Sequence, residues 1–323
     1  MASRTVAKSS LPVAVHLEGG NYFDDMRINI AASHQLLDAL PRNPGSKPHS
    51  RLGGALRRRS DEVLQHFDIQ SFLVTSGLRS AWFRDFHSYW SDILQGRRLE
   101  VADFMMLLHD YRKRQQYIAE LSWGSPAEHV ENWQVPALLY STMFYARRQA
   151  IEPVRSGSFW RYIRAGATIL EYGCSLAPYY NSYRRYYSHR GCNWILADIP
   201  SFPFHYAKCL FWNDRSVQSF VTIEPQDFGD PLKGKPECEV IFLTTVLEHL
   251  DDPLFVAGYL LERLKSGGIL IFDYILSEGL GLDTSAGLEK RKACLEFILE
   301  KTEVVVGKVE MEKTTPLTVV RKR

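Results

Sequence analysis

Seven consecutive residues, Glu171-Tyr172-Gly173-Cys174-Ser175-Leu176-Ala177, place a carboxylate just ahead of a run of small side chains, and a second carboxylate, Asp198, follows the turn about 25 residues later. The chemistry open to such a set is ligand binding. A ribose needs a carboxylate at a strand end to accept its hydroxyl hydrogen bonds, and ~20 residues is the spacing at which a βαβ unit supplies one. Small residues in the turn let backbone approach the ligand closely. The alternative for Asp198 is an ordinary strand-end turn residue ahead of Pro200. Further along, Thr244-Thr245-Val246-Leu247-Glu248-His249 ends another apolar run. His249 titrates near neutrality and could act as a general base. The plainer reading is that Glu248 and His249 stabilise the start of the next helix by hydrogen bonding.

These residues need elements to hold them. Ala167–Tyr172 reads as a first strand, the tyrosine-rich stretch holding Tyr179 to Tyr187 as a helix, and Trp194–Ala197 as a second strand ending in Asp198. Ser216–Ile223 reads as a third strand, followed by Gln226-Asp227. Glu239–Thr244 is a fourth, and a helix then runs to about Lys265. A turn at Ser266-Gly267-Gly268 leads into a fifth strand, Ile269–Tyr274. Leu288–Glu300 reads as a helix, and Glu303–Glu310 with Thr314–Val320 as a final β-hairpin. The order implies an α/β fold with the ligand crevice at the strand C-termini.

The turn lacks the G-x-G-x-x-G of dinucleotide-binding domains. It resembles the E/D-x-G-x-G-x-G turn of class I S-adenosylmethionine (SAM) methyltransferases, with Ser175 and Ala177 in the second and third glycine places. VLEHLDDP and LKSGGILIFDY resemble that family's middle motifs, including those of the ubiquinone-biosynthesis O-methyltransferase type. The resemblance covers roughly residues 158–323. It implies a Rossmann-like, mostly parallel sheet with an antiparallel terminal strand, and SAM as cofactor. It also implies roles. Glu171, Gly173, Ser175 and Ala177 would line the cofactor turn, with Glu171 near the amino-acid end, and Asp198 would hold the ribose. Ile199 would pack on the adenine and Asp227 would lie near its amino group, while Thr244 and Thr245 would border the methionine part. In the ubiquinone type a Glu-x-x-Glu-His run supplies metal ligands. Here Thr245 replaces the first Glu, so no metal is expected.

The tyrosines after the turn admit two readings. Tyr179, Tyr183 and Tyr186 share a helical face, which could line an aromatic pocket or pack on another domain. Packing is the ordinary reading, with Tyr179, nearest the crevice, as the candidate site residue. His205 is a weaker candidate base and reads as a helix-surface residue.

Residues 1–150 read as a helical N-terminal domain, which the resemblance implies would cap the substrate, and 151–323 as the SAM-binding domain. Helices are expected over Asp24–Leu40, much of Ser60–Leu94, Val101–Leu121 and Ala137–Ile151, with a short one at Ser158–Ala165. Ser125-Pro126-Ala127-Glu128 has capping-box spacing. Arg42–Arg59 is basic and rich in Pro and Gly. It reads as a solvated loop, or alternatively as a clamp for an anion or an acidic partner. Lys and Arg number 39 against 37 Asp and Glu in 323 residues, which lacks the basic excess of a nucleic-acid binder. No apolar run is long enough for a membrane span. Five scattered cysteines suit a reduced, cytoplasmic protein without a disulfide framework.

The function expected is methyl transfer from SAM to O or N of a small molecule, such as a natural-product or sugar intermediate. ADIPSFPFHYAK loosely resembles methyltransferase-like proteins of such pathways. Alternatives are a protein or peptide methyltransferase and a catalytically inactive scaffold that has lost two turn glycines. No nucleic-acid or membrane partner is expected, and a homodimer is compatible with the sequence. Glu248, His249 and Tyr179 are the candidate catalytic residues.

Overall fold

The computed structural model describes residues 82–93, 124–133, 142–143, 145–146, 149, 158–276 and 282–323. The helices expected over 24–40 and 101–121, the basic loop 42–59 and the boundary near residue 150 lie outside these residues. The described residues belong to two compact units, with 82–93 in one and 124–323 in the other. In the first, helix α1 (Trp82–Ser88) continues as a π-helical turn to Ile93. Phe83, Phe86 and Trp90 recur at helical spacing and are buried.

In the second unit, helix α2 (Pro126–Asn132) begins where the capping signal placed it. Ser125 Oγ accepts the Glu128 N–H at 3.2 Å, and Pro126 occupies the first turn, where its missing N–H costs nothing. The Glu128 carboxylate reaches one residue further back than a capping box requires, accepting the Gly124 N–H at 2.7 Å.

The sheet is built from β1 (Thr168–Tyr172), β2 (Asn193–Asp198), β3 (Val217–Thr222), β4 (Cys238–Leu243), β5 (Leu264–Tyr274), β6 (Thr302–Val306) and β7 (Thr315–Lys322). Its strand order is β3-β2-β1-β4-β5-β7-β6. β1 through β5 pair in parallel, and β7 runs antiparallel to both β5 and β6. The expected doubly wound sheet with an antiparallel terminal strand is therefore present. The strand order reverses between β1 and β4, and a crevice must open outside their carboxyl ends.

Central strands covered on both faces have to be apolar throughout, which is why Trp194-Ile195-Leu196-Ala197 shows no alternation. Ile169, Trp194, Leu196 and Phe242 face α3 (Pro178–Tyr186) and α4 (Phe202–Phe211). Leu170, Ile195, Ile241 and Phe272 face α5 (Pro253–Arg263) and α7 (Arg291–Lys301), with the short α6 (Ser285–Glu289) leading into α7.

Four local expectations are corrected. Ser266-Gly267-Gly268 is a bulge inside one long β5, because Leu264 pairs with Cys238 and Ile269 with Val240, leaving four residues opposite Glu239. The helix expected over 288–300 is two helices that meet at Lys290. Tyr180, and not Tyr186, joins Tyr179 and Tyr183 on the buried face of α3. That face packs on Trp194 and Phe242 of the sheet and on Phe211 of α4. His205 is buried in α4, and burial lowers its pKa to about 4.

Candidate functional site

The turn after β1 repeats one backbone state at alternate positions. Gly173, Ser175 and Ala177 have φ of 63°, 50° and 51°, all left-handed. These are the three places where the sequence aligned with glycines. For Ser and Ala the conformation costs about 1–2 kcal/mol each, so the turn is held by its surroundings. The Cys174 N–H donates to Ala197 O at 3.2 Å, and the Ser175 N–H donates to Asp198 Oδ2 at 2.5 Å. Gly173 admits no side chain, since a Cβ there would lie 2.4 Å from a methyl of Val246. Ser175→Gly relieves strain at the cost of unfolded-state entropy. It should raise unfolding free energy by about 0.5 kcal/mol in urea titration; a loss of stability would refute strain at this position.

Asp198 closes β2. Its Oδ2 holds Ser175 and its Oδ1 accepts the Ile199 N–H at 2.8 Å. Burial raises its pKa to about 6, against the lowering effect of those two N–H groups. It remains half-buried, with lone pairs left over for a ligand. Ile199 packs at the edge of the α5 face. Asp227 lies in a 3₁₀ turn after β3 and is exposed.

Glu171 is differently employed. Residues alternate along β1, so it shares the α3 face with Ile169. Its two carboxylate oxygens accept the N–H groups of Tyr179 at 3.1 Å and Tyr180 at 2.9 Å, the free donors at the start of α3. It is 2% exposed, and burial pushes its pKa up to about 8 although both N–H groups oppose the shift.

The other wall of the crevice comes from β4 and β5. Tyr179 stacks on Phe242 with ring centroids 4.4 Å apart. Its hydroxyl is hydrogen-bonded to that of Thr244, and burial raises its pKa. Thr245, at φ 55°, is a fourth left-handed residue, and its N–H donates to Asp273 Oδ1 at 2.5 Å. His249 Nδ1 lies 2.9 Å from Asp283 Oδ1 and 3.0 Å from Leu282 O, with Trp133 edge-on at 5.0 Å. Burial opposes its charge, but the Asp283 hydrogen bond and the Glu248 and Asp283 charges outweigh it and hold the pKa above the usual value. Glu248 is 2% exposed, neither of its oxygens has a hydrogen-bond partner among the described residues, and burial raises its pKa to about 7. The reading of Glu248 and His249 as helix-start residues is corrected, since Asp252 caps α5 by accepting the Phe255 N–H.

The crevice thus gathers Glu171, the 173–177 turn, Asp198, Tyr179, Thr244, Thr245, Glu248 and His249. Sequence reasoning missed Trp133, Asp273 and Asp283. Asp273 sat in the fifth-strand motif as IFDY and was signalled only by a carboxylate near a parallel strand's C-terminus. Nothing local marked Trp133 or Asp283. Among the described residues, no three His, Cys, Asp or Glu side chains converge as metal ligands, and no helix is long and apolar enough to cross a membrane.

A ligand-binding crevice at the β1/β4 switch, a single reversed strand, β7, between β5 and the edge strand β6, and glycine-like geometry at 173, 175 and 177 occur together. This is the class I methyltransferase fold. No family model matches the chain, and no curated protein matches it in sequence. Solved structures with similar folds include the N-methyltransferase NodS from Bradyrhizobium japonicum, at 16% identity and TM-score 0.38 over 51% of this chain and 89% of that one. An O-methyltransferase family protein from Burkholderia thailandensis matches at 12% identity and TM-score 0.41 over 82% of this chain and 97% of that one. An O-methyltransferase from neocarzinostatin biosynthesis, solved with S-adenosyl-L-homocysteine and 1,4-dihydroxy-2-naphthoic acid, matches at 12% identity and TM-score 0.39 over 57% of each chain.

Proposed function

We propose that this chain is a SAM-dependent methyltransferase acting on a small molecule. The observation that carries the reading is the carboxylate of Glu171 on the N-terminus of α3. In a dinucleotide-binding domain that helix end receives a pyrophosphate. Here the N–H groups of Tyr179 and Tyr180 are already taken by the Glu171 carboxyl group, so a phosphate would find no donors there. A nucleoside without phosphate fits the same crevice. Asp198 has lone pairs for ribose hydroxyls, Asp227 stands exposed beyond β3, and the tight 173–177 turn leaves backbone accessible.

When bound, SAM supplies an electrophilic methyl group on a sulfonium. The protein's task is then chiefly alignment, which demands little of acid–base chemistry. Thr244, hydrogen-bonded to Tyr179, would border the methionine part. His249, held by Asp283, can take a proton from the acceptor, and its raised pKa suits it to that role near neutrality. His249→Ala should lower turnover about tenfold and leave cofactor affinity within twofold. A loss beyond about 100-fold at unchanged affinity would make His249 an indispensable base.

A small-molecule acceptor agrees with the net charge of +2. A nucleic-acid or membrane partner has no support in the composition, and the oligomer to test for is a homodimer. A cytoplasmic setting suits the free cysteines. The reading is tested by isothermal titration with S-adenosylhomocysteine (SAH) and with NAD. Micromolar binding of SAH alone is expected. Binding of NAD, or of neither, would overturn it and favour a dehydrogenase or a scaffold.

A further inference from the structure

We propose, resting on the methyltransferase reading above, that the acceptor is a cationic amine, held by the buried Glu248 carboxylate beside His249, Asp273 and Asp283. Glu248 carries the inference. A buried carboxylate normally finds hydrogen-bond donors or a cation, because leaving it unpaired is costly. At 2% exposure, Glu248 has neither oxygen hydrogen-bonded among the described residues.

The charges around it come from every element packed against it. His249, on its own turn, is already engaged by Asp283 and Leu282 O. From β5, Asp273 adds a second carboxylate, itself accepting the Thr245 N–H, and Tyr274 donates its hydroxyl to Gly287 O at 2.5 Å. Asp283, ahead of α6, adds a third. Of the cations on α7, Arg291 is the one whose charge feels Glu248, and it is committed elsewhere. Its guanidinium donates to the carbonyls of Glu310, Met311 and Lys313 in the loop before β7. Three carboxylates therefore share one imidazole, and no lysine or arginine is ion-paired to Glu248, Asp273 or Asp283 among the described residues.

A second, separate observation lies beside His249. Trp133 stands edge-on to His249, and its indole Nε1 is buried without a hydrogen-bond partner among the described residues. An aromatic ring beside carboxylates is a setting that favours ammonium ions over neutral or anionic groups. The indole N–H adds a donor for an oxygen on the same molecule. An ammonium nitrogen has no free lone pair. Passing one proton from nitrogen to neutral His249, the base proposed above, frees the pair and leaves a neutral amine beside an imidazolium, with Glu248 still ionised.

The experiment uses the full-length protein saturated with SAH, titrated with benzylamine, benzyl alcohol and benzoate as probes of one shape and three charges. The work is done at about pH 8, where benzylamine is still an ammonium ion and Glu248 is mainly ionised. Benzylamine is expected to bind at least about tenfold tighter than the alcohol, with benzoate weakest. Glu248→Gln, which keeps the shape and removes the charge, should abolish the preference. Equal affinities, a preference for benzoate, binding of none of the three, or an amine preference that survives Glu248→Gln would each overturn the proposal. The wild-type comparison stands even if the variant does not fold. SAH affinity is measured first. Its absence sinks the methyltransferase reading itself, whereas normal SAH affinity without amine preference sinks only this inference.

Discussion

Asp198→Ala weakens SAH binding by about 100-fold or more, equivalent to about 2.8 kcal/mol. Two losses add in this variant. The ribose loses its acceptor, and the Ser175 N–H loses the carboxylate that holds a left-handed turn in place. Stability moves little, because removing a desolvated carboxylate offsets the lost hydrogen bonds to Ser175 and Ile199. Asp198→Asn keeps one acceptor oxygen and should lose about tenfold. The pKa of about 6 adds a pH signature. The ionised form is the better hydrogen-bond acceptor, so affinity should fall as pH drops below that value, and Asp198→Asn should not show the fall. Calorimetry across pH with both variants checks each part. SAH affinity within threefold of wild type in Asp198→Ala would remove Asp198 from the site.

How much of this was legible depends on where each constraint lies. The 173–177 turn was readable because small residues at a strand end report a backbone state, and that state recurs at Gly173, Ser175 and Ala177. The sheet was readable because strands covered on both faces must be continuously apolar. The bulge in β5 was not, since Ser266-Gly267-Gly268 suits a turn and a bulge equally, and pairing with β4 decides between them. The tyrosine helix misled for a related reason. Tyrosine suits a partly wet surface, but Tyr180 and Tyr183 are wholly buried against Trp194, a contact that depends on how α3 lies across β2. His249 was visible as a titratable residue after a strand. Its partners Asp283 and Trp133 come from distant segments, and no local spacing could have linked them. Glu171 shows the limit most clearly. A carboxylate ending the first strand reads naturally as a ligand-facing group, yet both its oxygens serve the helix that follows.

That last arrangement carries the second large effect. Glu171→Ala strips two buried N–H groups of their acceptor, and each such loss costs about 1–3 kcal/mol. Removing a buried carboxyl recovers part of the sum, so a net loss of about 3 kcal/mol is expected, and less for Glu171→Gln, which keeps one acceptor oxygen. The pH dependence separates this account from simple loss of packing. The folded-state pKa of Glu171 is about 8, raised from a usual value of 4.5. Between these values the folded protein holds a proton that the unfolded chain has released, so unfolding free energy falls as pH rises through that window. Glu248, raised to about 7, and Asp198, raised to about 6, act in the same direction. The ligand-free protein should therefore be measurably less stable in urea at about pH 8.5 than at about pH 5.5. Glu171→Gln should lose the upper part of that slope, above about pH 7.5, where the other two carboxyls have mostly ionised. A slope identical to wild type in that range would mean that Glu171 is already ionised in the folded protein. The helix cap would then be a full negative charge, and the case against a phosphate at the N-terminus of α3 would be stronger still.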